Sequence, residues 1–199
     1  MYCMWTKEMF GTDVYHLVSW FIIYSMLGWL IESIYMSFCN RKLTNRGFAK
    51  SPFCPIYGFG AVGAYLMLRP LEGDYVKLYL CGSMLATLFE FFVAKLMIRL
   101  FGEVWWDYNE KPYNYKGIIC LESTVAWGFY TVFLFLFLHK FVMAWVESYS
   151  YYQGIFFCKM ILTIFSIDFF YHFFKALHFN FSECREKMIT NYREFRARF

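Results

Sequence analysis

Apolar residues fall in long blocks separated by short polar stretches. Leu17 to Phe38 runs nearly unbroken, and four further blocks follow: Phe53 to Leu71, Tyr75 to Phe101, Gly117 to His139 and Tyr151 to Phe174. About 20 mostly apolar residues in helix cross the hydrocarbon of a bilayer. Only helices and closed barrels satisfy their backbone groups there. The chain lacks the short alternating strands and regular turns of a barrel. The pattern therefore predicts an all-α integral membrane protein with about five transmembrane helices. The second block is the shortest and is Gly-rich (Gly58, Gly60, Gly63), with Pro55 near its start; the third turns wetter at Glu90, Lys95 and Arg99.

Within these blocks one octet occurs twice, 58 positions apart. Ser25-Met26-Leu27-Gly28-Trp29-Leu30-Ile31-Glu32 and Ser83-Met84-Leu85-Ala86-Thr87-Leu88-Phe89-Glu90 share the pattern S-M-L-x-x-L-x-E. A charge in hydrocarbon costs roughly 2.5–3.5 kcal/mol or more, so a repeated one points to a polar site at the core. The expectation is two parallel-repeat helical hairpins related by an axis along the membrane normal. Each consists of a Glu-bearing helix, a polar loop, and a returning helix with a Cys at its mouth (Cys54, Cys120). Ser25, Gly28, Glu32 and Tyr35 share one face of the first helix, and Ser83, Thr87 and Glu90 share one face of the third. If those faces meet, the two carboxylates need a shared proton, a cation or a basic partner. Arg46, Arg99 and Lys95 are the candidates. The alternative is that each Glu is structural, pairing locally as interhelical glue.

Composition agrees with the membrane reading: 60% of residues are hydrophobic, 25% aromatic and 17% charged, against about a quarter charged in soluble domains. A net charge of +4 does not argue for nucleic acid as a partner. Residues 1–16 hold no long apolar run, so no cleavable signal peptide is expected at the start. Seven Cys, an odd number at scattered positions, do not make a secreted disulfide framework. Fourteen of the 19 Lys and Arg lie in the 1–2 loop, the 3–4 region and the C-terminal tail, against four on the other side, with Lys159 inside the fifth block. Basic residues concentrate on the cytoplasmic side. The expected orientation is N-terminus out and C-terminus cytoplasmic, in a plasma membrane facing a reducing interior. The expected division is an extracytoplasmic segment (1–16), a membrane domain of two hairpins (17–140), a fifth-helix region (141–181) and a basic tail (182–199).

Candidate chemistry follows from these positions. Glu32 and Glu90, with Ser25, Tyr57 and Asn114, are candidates for a substrate or ion pathway. Asn45, Arg46, Trp106, Asp107 and Tyr108 are candidates for a site in the two cytoplasmic loops, Arg46 clamping Asp107 or holding a lipid phosphate. Juxtamembrane Arg and interfacial rings also serve as topology signals and aromatic belts. Cys54 and Cys120 are weak metal or redox candidates, since a tetrahedral site needs further ligands and no His lies nearby in sequence. Small packing residues are the simpler reading. Asp168 and His172, four apart, read first as a structural hydrogen-bonded pair. No cofactor is expected and no catalytic residue stands out.

The ordered series Gly28-Trp29-Leu30-x-Glu32, Asn45-Arg46-Gly47-Phe48 and Pro52-x-Cys54-Pro55-Ile56-Tyr57-Gly58-x-Gly60 resembles the bacterial membrane family named putative ABC-transporter permeases (type IV). The second half agrees: Ala86-Thr87-Leu88-x-Glu90, Trp105-Trp106-Asp107-Tyr108, Pro112-x-Asn114, Gly117-x-Ile119-Cys120-Leu121, Ser123 and Trp127-Gly128. The likeness covers about residues 18–140. Ser51 departs from it, standing where the family usually has Gly, and nothing beyond about 145 carries a matching motif. The resemblance implies a permease-like transport component of a bacterial plasma membrane. The chain has no Walker A loop and lysine of its own, so an ATPase would be a separate subunit docking on the loops. A stand-alone membrane enzyme or lipid-binding protein, with an inner-leaflet site of Glu32, Arg46, Glu90 and Asp107, is the alternative reading. A scaffold or accessory protein is the third. With so few spans, a complete pathway calls for a homodimer or hetero-oligomer.

Overall fold

The computed structural model describes residues 2–45, 50–102, 104 and 106–196, with side chains described between 4 and 175. A one-turn helix α1 (Tyr2–Trp5) and a tight hairpin, β1 (Glu8–Met9) against β2 (Thr12–Asp13), precede the bundle. The bundle consists of α2 (Val14–Asn40), α3 (Pro55–Leu68), α4 (Tyr75–Phe101), α5 (Leu121–Phe133) continuing as α6 (His139–Glu147), and α7 (Tyr151–Arg196). A second small hairpin, β3 (Asn114–Tyr115) with β4 (Ile119–Cys120), leads into α5.

Polar residues at the ends set the boundaries of these helices. Asp13 Oδ1 accepts from the His16 amide at 2.9 Å, and Asp74 Oδ1 from the Lys77 amide at 3.1 Å, capping α2 and α4. Arg41 and Gly102 close the same two helices in the left-handed conformation. Cys120 caps α5: its thiol accepts from the Ser123 amide at 3.3 Å. Between α5 and α6 the chain takes a π turn over Leu134–Leu138, where the amide of His139 bonds to Leu134 O.

Among the described residues, three helical stretches are long and apolar enough to cross a membrane: Val14–Asn40, Leu121–Glu147 and Tyr151–Lys175. Of the five spans expected, α4 has the length but carries Lys77, Glu90, Lys95 and Arg99, and α3 has only 14 residues. The fourth block extends to Glu147, eight residues past the expected end, and α7 continues without a break as far as Arg196. Outward faces are largely apolar, with Ile31, Phe38, Met84, Phe92, Phe129, Phe137, Phe156 and Phe170 among the exposed side chains. A soluble protein does not leave so much apolar surface uncovered. The fold is that of an all-α membrane protein.

The core centres on α2. Tyr15, Trp20, Ile22, Ile23 and Tyr24 pack with Phe53, Leu134, Val142, Val146, Ile155 and Cys158. Lipid tails are as apolar as these side chains, so close packing and hydrogen bonds, rather than removal from water, hold the helices together. Small residues permit the closest approaches. A methyl on Gly58 would strike Ser25 Oγ and come within 2.7 Å of the Phe21 carbonyl; one on Gly128 would strike Ser83 Oγ and the Tyr79 ring. Phe21 and Tyr79, like Ser25 and Ser83, stand 58 positions apart. Both serines bond back one turn, Ser25 Oγ to Phe21 O at 2.7 Å and Ser83 Oγ to Tyr79 O at 2.9 Å. The two hairpins therefore share a helix–helix contact as well as an octet.

The bundle's two ends are distinct. At one, Tyr151 donates to the Trp5 carbonyl at 2.9 Å and Gly11 abuts Arg69. At the other, the Ser51 amide donates to Asp168 Oδ2 at 2.7 Å and Phe101 meets Phe173. The connections after α2 and α4 thus lie at the same end of the bundle.

Candidate functional site

Glu90 is the only acid on α4, as Glu32 is on α2. Glu32 and Glu90 occupy the same place in the two octets, 58 positions apart, each in the second half of a 27-residue helix. Glu90 is buried, 7% exposed. Three side chains donate to it: Tyr108 Oη to Oε1 at 2.9 Å, Trp127 Nε1 to Oε2 at 3.1 Å, and Ser123 Oγ to Oε2 at 3.3 Å. All three donors are neutral. Of the three basic candidates for Glu90, Arg46 lies outside the described residues, and neither Lys95 nor Arg99 bonds to it among those described. Lys95 lies over the Phe91 ring at 5.5 Å, and Arg99 is exposed. Both follow Glu90 on α4, and their long stems carry their charges towards water.

In the first hairpin Tyr57 bonds to Glu32. Tyr57 and Trp127 stand 70 positions apart, the same offset as Gly58 and Gly128. Each returning helix therefore supplies an aromatic donor to its hairpin's carboxylate, immediately before the glycine that lets the helices touch. Tyr57, beside Glu32, and Tyr108, bonded to Glu90, also lie within electrostatic reach of each other across the two hairpins. Burial, and next the Glu90 charge, raises the Tyr108 hydroxyl's pKa above the ordinary tyrosine value, so it stays a donor.

The remaining candidates separate into groups. Ser25 is fully buried and bonded to its own helix. Asn114 staples its loop: its amide donates to the Asn109 and Lys111 carbonyls, and its Oδ1 accepts from the Gly117 amide. Trp106 Nε1 donates to Ile118 O at 2.9 Å. Asp107 is exposed and accepts from the Asn109 amide and side chain. Asn45 accepts from Trp29 Nε1 at 2.7 Å. Arg46, and so its pairing with Asp107, lies outside the described residues. Cys54 and Cys120 both precede the first turn of a returning helix, but stand 66 apart rather than 70. Packing register sets Thr124 opposite Cys54, about one helical turn beyond Cys120. Among the described residues no three His, Cys, Asp or Glu side chains group to hold a metal ion. Asp168 and His172 pair at 3.2 Å, and Asp168 also anchors Ser51.

Sequence reasoning missed Ser123 and Trp127 as partners of Glu90. It also missed a buried cluster towards the opposite end. Tyr24 Oη meets His139 Nδ1 at 2.7 Å, Tyr65 stacks on the same imidazole at 3.6 Å, and Trp20 stands edge-on to it at 4.7 Å.

These features define a helical membrane protein with polar stations inside an apolar bundle. The family described as "Putative ABC-transporter type IV" matches residues 19–173, and the chain belongs to it. That span also takes in α6 and the membrane portion of α7, where no motif was legible. Among curated proteins and among solved structures nothing matches.

Proposed function

We propose that the chain is the membrane-embedded permease-like subunit of a transporter powered by a separate ATPase, and that Glu32 and Glu90 form its cargo or ion station. The observation that carries this reading is the matched pair of carboxylates, each met by an aromatic donor from its returning helix, Tyr57 at Glu32 and Trp127 at Glu90. A buried carboxylate surrounded by neutral donors accepts a proton or a small cation without having to break an ion pair. Membership of the family supports a transport component.

The finer assignments belong to the same reading. The two hairpins are a parallel internal repeat in a bacterial plasma membrane, with N-terminus out and C-terminus cytoplasmic. The loops after α2 and α4 face the ATPase, and a homodimer or hetero-oligomer completes the pathway. A lipid-headgroup site is less well supported, because an anionic headgroup would meet two carboxylates and, at Glu90, only neutral donors among the described residues.

The test is to purify the tagged chain from its native membrane, identify co-purifying proteins by mass spectrometry, and assay ATPase activity on the same sample. A stoichiometric nucleotide-binding subunit is expected. The chain arriving alone, with no ATPase activity, would overturn the permease reading.

A further inference from the structure

His139 and Trp20 carry a feature that the carboxylate station does not use. Both are more than nine-tenths buried, at 6% and 3% exposed. His139 Nε2 and Trp20 Nε1 each lack a hydrogen-bond partner among the described residues. Their rings are 4.7 Å apart, 75° from coplanar. A buried polar nitrogen without a partner costs about 1–3 kcal/mol, so two on adjacent rings is an unusual concentration.

The relative acid strengths of Tyr24 and His139 place the protons. Tyr24 Oη lies 2.7 Å from His139 Nδ1. The phenol is the stronger acid and the bare imidazole nitrogen the stronger base, so the hydroxyl donates to Nδ1. A neutral imidazole then carries its hydrogen on Nε2. The cluster therefore presents two donors, Nε2–H and the indole N–H, with no acceptor for either among the described residues. The rings that close around them come from three elements: Trp20 and Tyr24 from α2, Tyr65 from α3 and His139 from the start of α6. The π turn before His139 sets the register that turns its ring inward, and such turns are frequent at functional sites.

We infer that Trp20 and His139 form a binding site for one small neutral oxygen acceptor, a water or the hydroxyl or carbonyl oxygen of a small organic molecule. Two donors and no acceptor select an oxygen with lone pairs. The described neighbours of His139 are aromatic and uncharged, which disfavours an anion, since a buried charge without a partner is costly. The site is separate from the carboxylate station and stands or falls independently of it.

The experiment is nitrogen-15 NMR of the full chain in lipid nanodiscs, with labelled histidine and tryptophan, His139 and Trp20 being assigned through His139→Gln and Trp20→Phe. The expected result is a neutral His139 protonated on Nε2, with cross-peaks from Nε2–H and the Trp20 indole N–H to one shared bound species. A cross-peak at the water frequency that vanishes in deuterium oxide identifies water; one that persists at another frequency identifies an organic ligand. Trp20→Phe, which keeps a ring and removes the N–H, should abolish the His139 cross-peak. The inference is overturned if neither N–H shows a cross-peak, as when both point at ring faces, or if His139 carries its hydrogen on Nδ1.

Discussion

Tyr108 reaches out of the connection after α4 and donates its hydroxyl hydrogen to Glu90 Oε1 at 2.9 Å, closing a loop residue over an acid on the preceding helix. The contact ties the loop's conformation to the state of the carboxylate. Whatever docks on the loop and whatever binds the acid therefore act on one hydrogen bond.

Tyr108→Phe deletes that donor and leaves Glu90 with two. Loss of one hydrogen bond to a buried acid should lower stability by about 1–3 kcal/mol. Thermal unfolding in nanodiscs would read this. No change in melting temperature would show that the contact contributes nothing to the fold.

Glu32→Gln and Glu90→Gln keep the shape of each side chain while removing the negative charge. On the transport reading both should leave the chain folded and membrane-inserted, yet reduce flux in the reconstituted complex by at least about tenfold. Undiminished flux in both variants would reduce the carboxylates to interhelical glue.

The helix contacts predict a contrast among glycines. Gly58→Ala drives a methyl into Ser25 and the Phe21 backbone, and Gly128→Ala drives one into Ser83 and Tyr79. Overpacking of this kind costs about 1–3 kcal/mol. Gly63 has nothing within 4 Å of an added methyl. Gly63→Ala should therefore be neutral or stabilising by up to about 1 kcal/mol, through helix propensity alone. Comparing the three in one melting series checks the packing directly.

At the N-terminus of α4, the hydrogen bonds from Lys77 hold Asp74 below its ordinary value of 3.8. A carboxyl depressed by folding stabilises above its unfolded pKa, and the contribution fades as pH falls through the lower folded value. Hydrogen-exchange protection at the amides of Tyr75 to Leu78, taken relative to intrinsic exchange at each pH, should fall below about pH 4. Asp74→Asn keeps a capping side chain and should remove that acid dependence.

Glu32 and Glu90 were legible in sequence because a charge in an apolar helix is costly and rarely without a role. Ser25 and Ser83 followed from the shared octet. Tyr57 and Trp127 were not legible as a pair. Their helices return after connections of different length, so the offset changes from 58 to 70 and no single shift aligns both halves. The neutral shell of Glu90 escaped as well, because charge counting proposes basic partners, whereas Ser123 and Trp127 are brought in by packing. A lone His139 at a block's end gave no periodic signal, and only the π turn shows which way its ring faces. Asn114 and Asp107 stood out as polar residues in a loop, and their local bonds to Asn109, Lys111 and Gly117 shape that loop.

α3, with its 14 residues, is only about 21 Å long, against about 30 Å of hydrocarbon. The segment before it is held by bonds within the protein, the Ser51 amide to Asp168 and the Cys54 amide to the Ser25 carbonyl, with Phe53 and Cys54 buried. Non-helical backbone at membrane depth is tolerated where protein covers it. Along that flank irregular chain, tied to α2 and α7, makes up the width that α3 leaves uncovered.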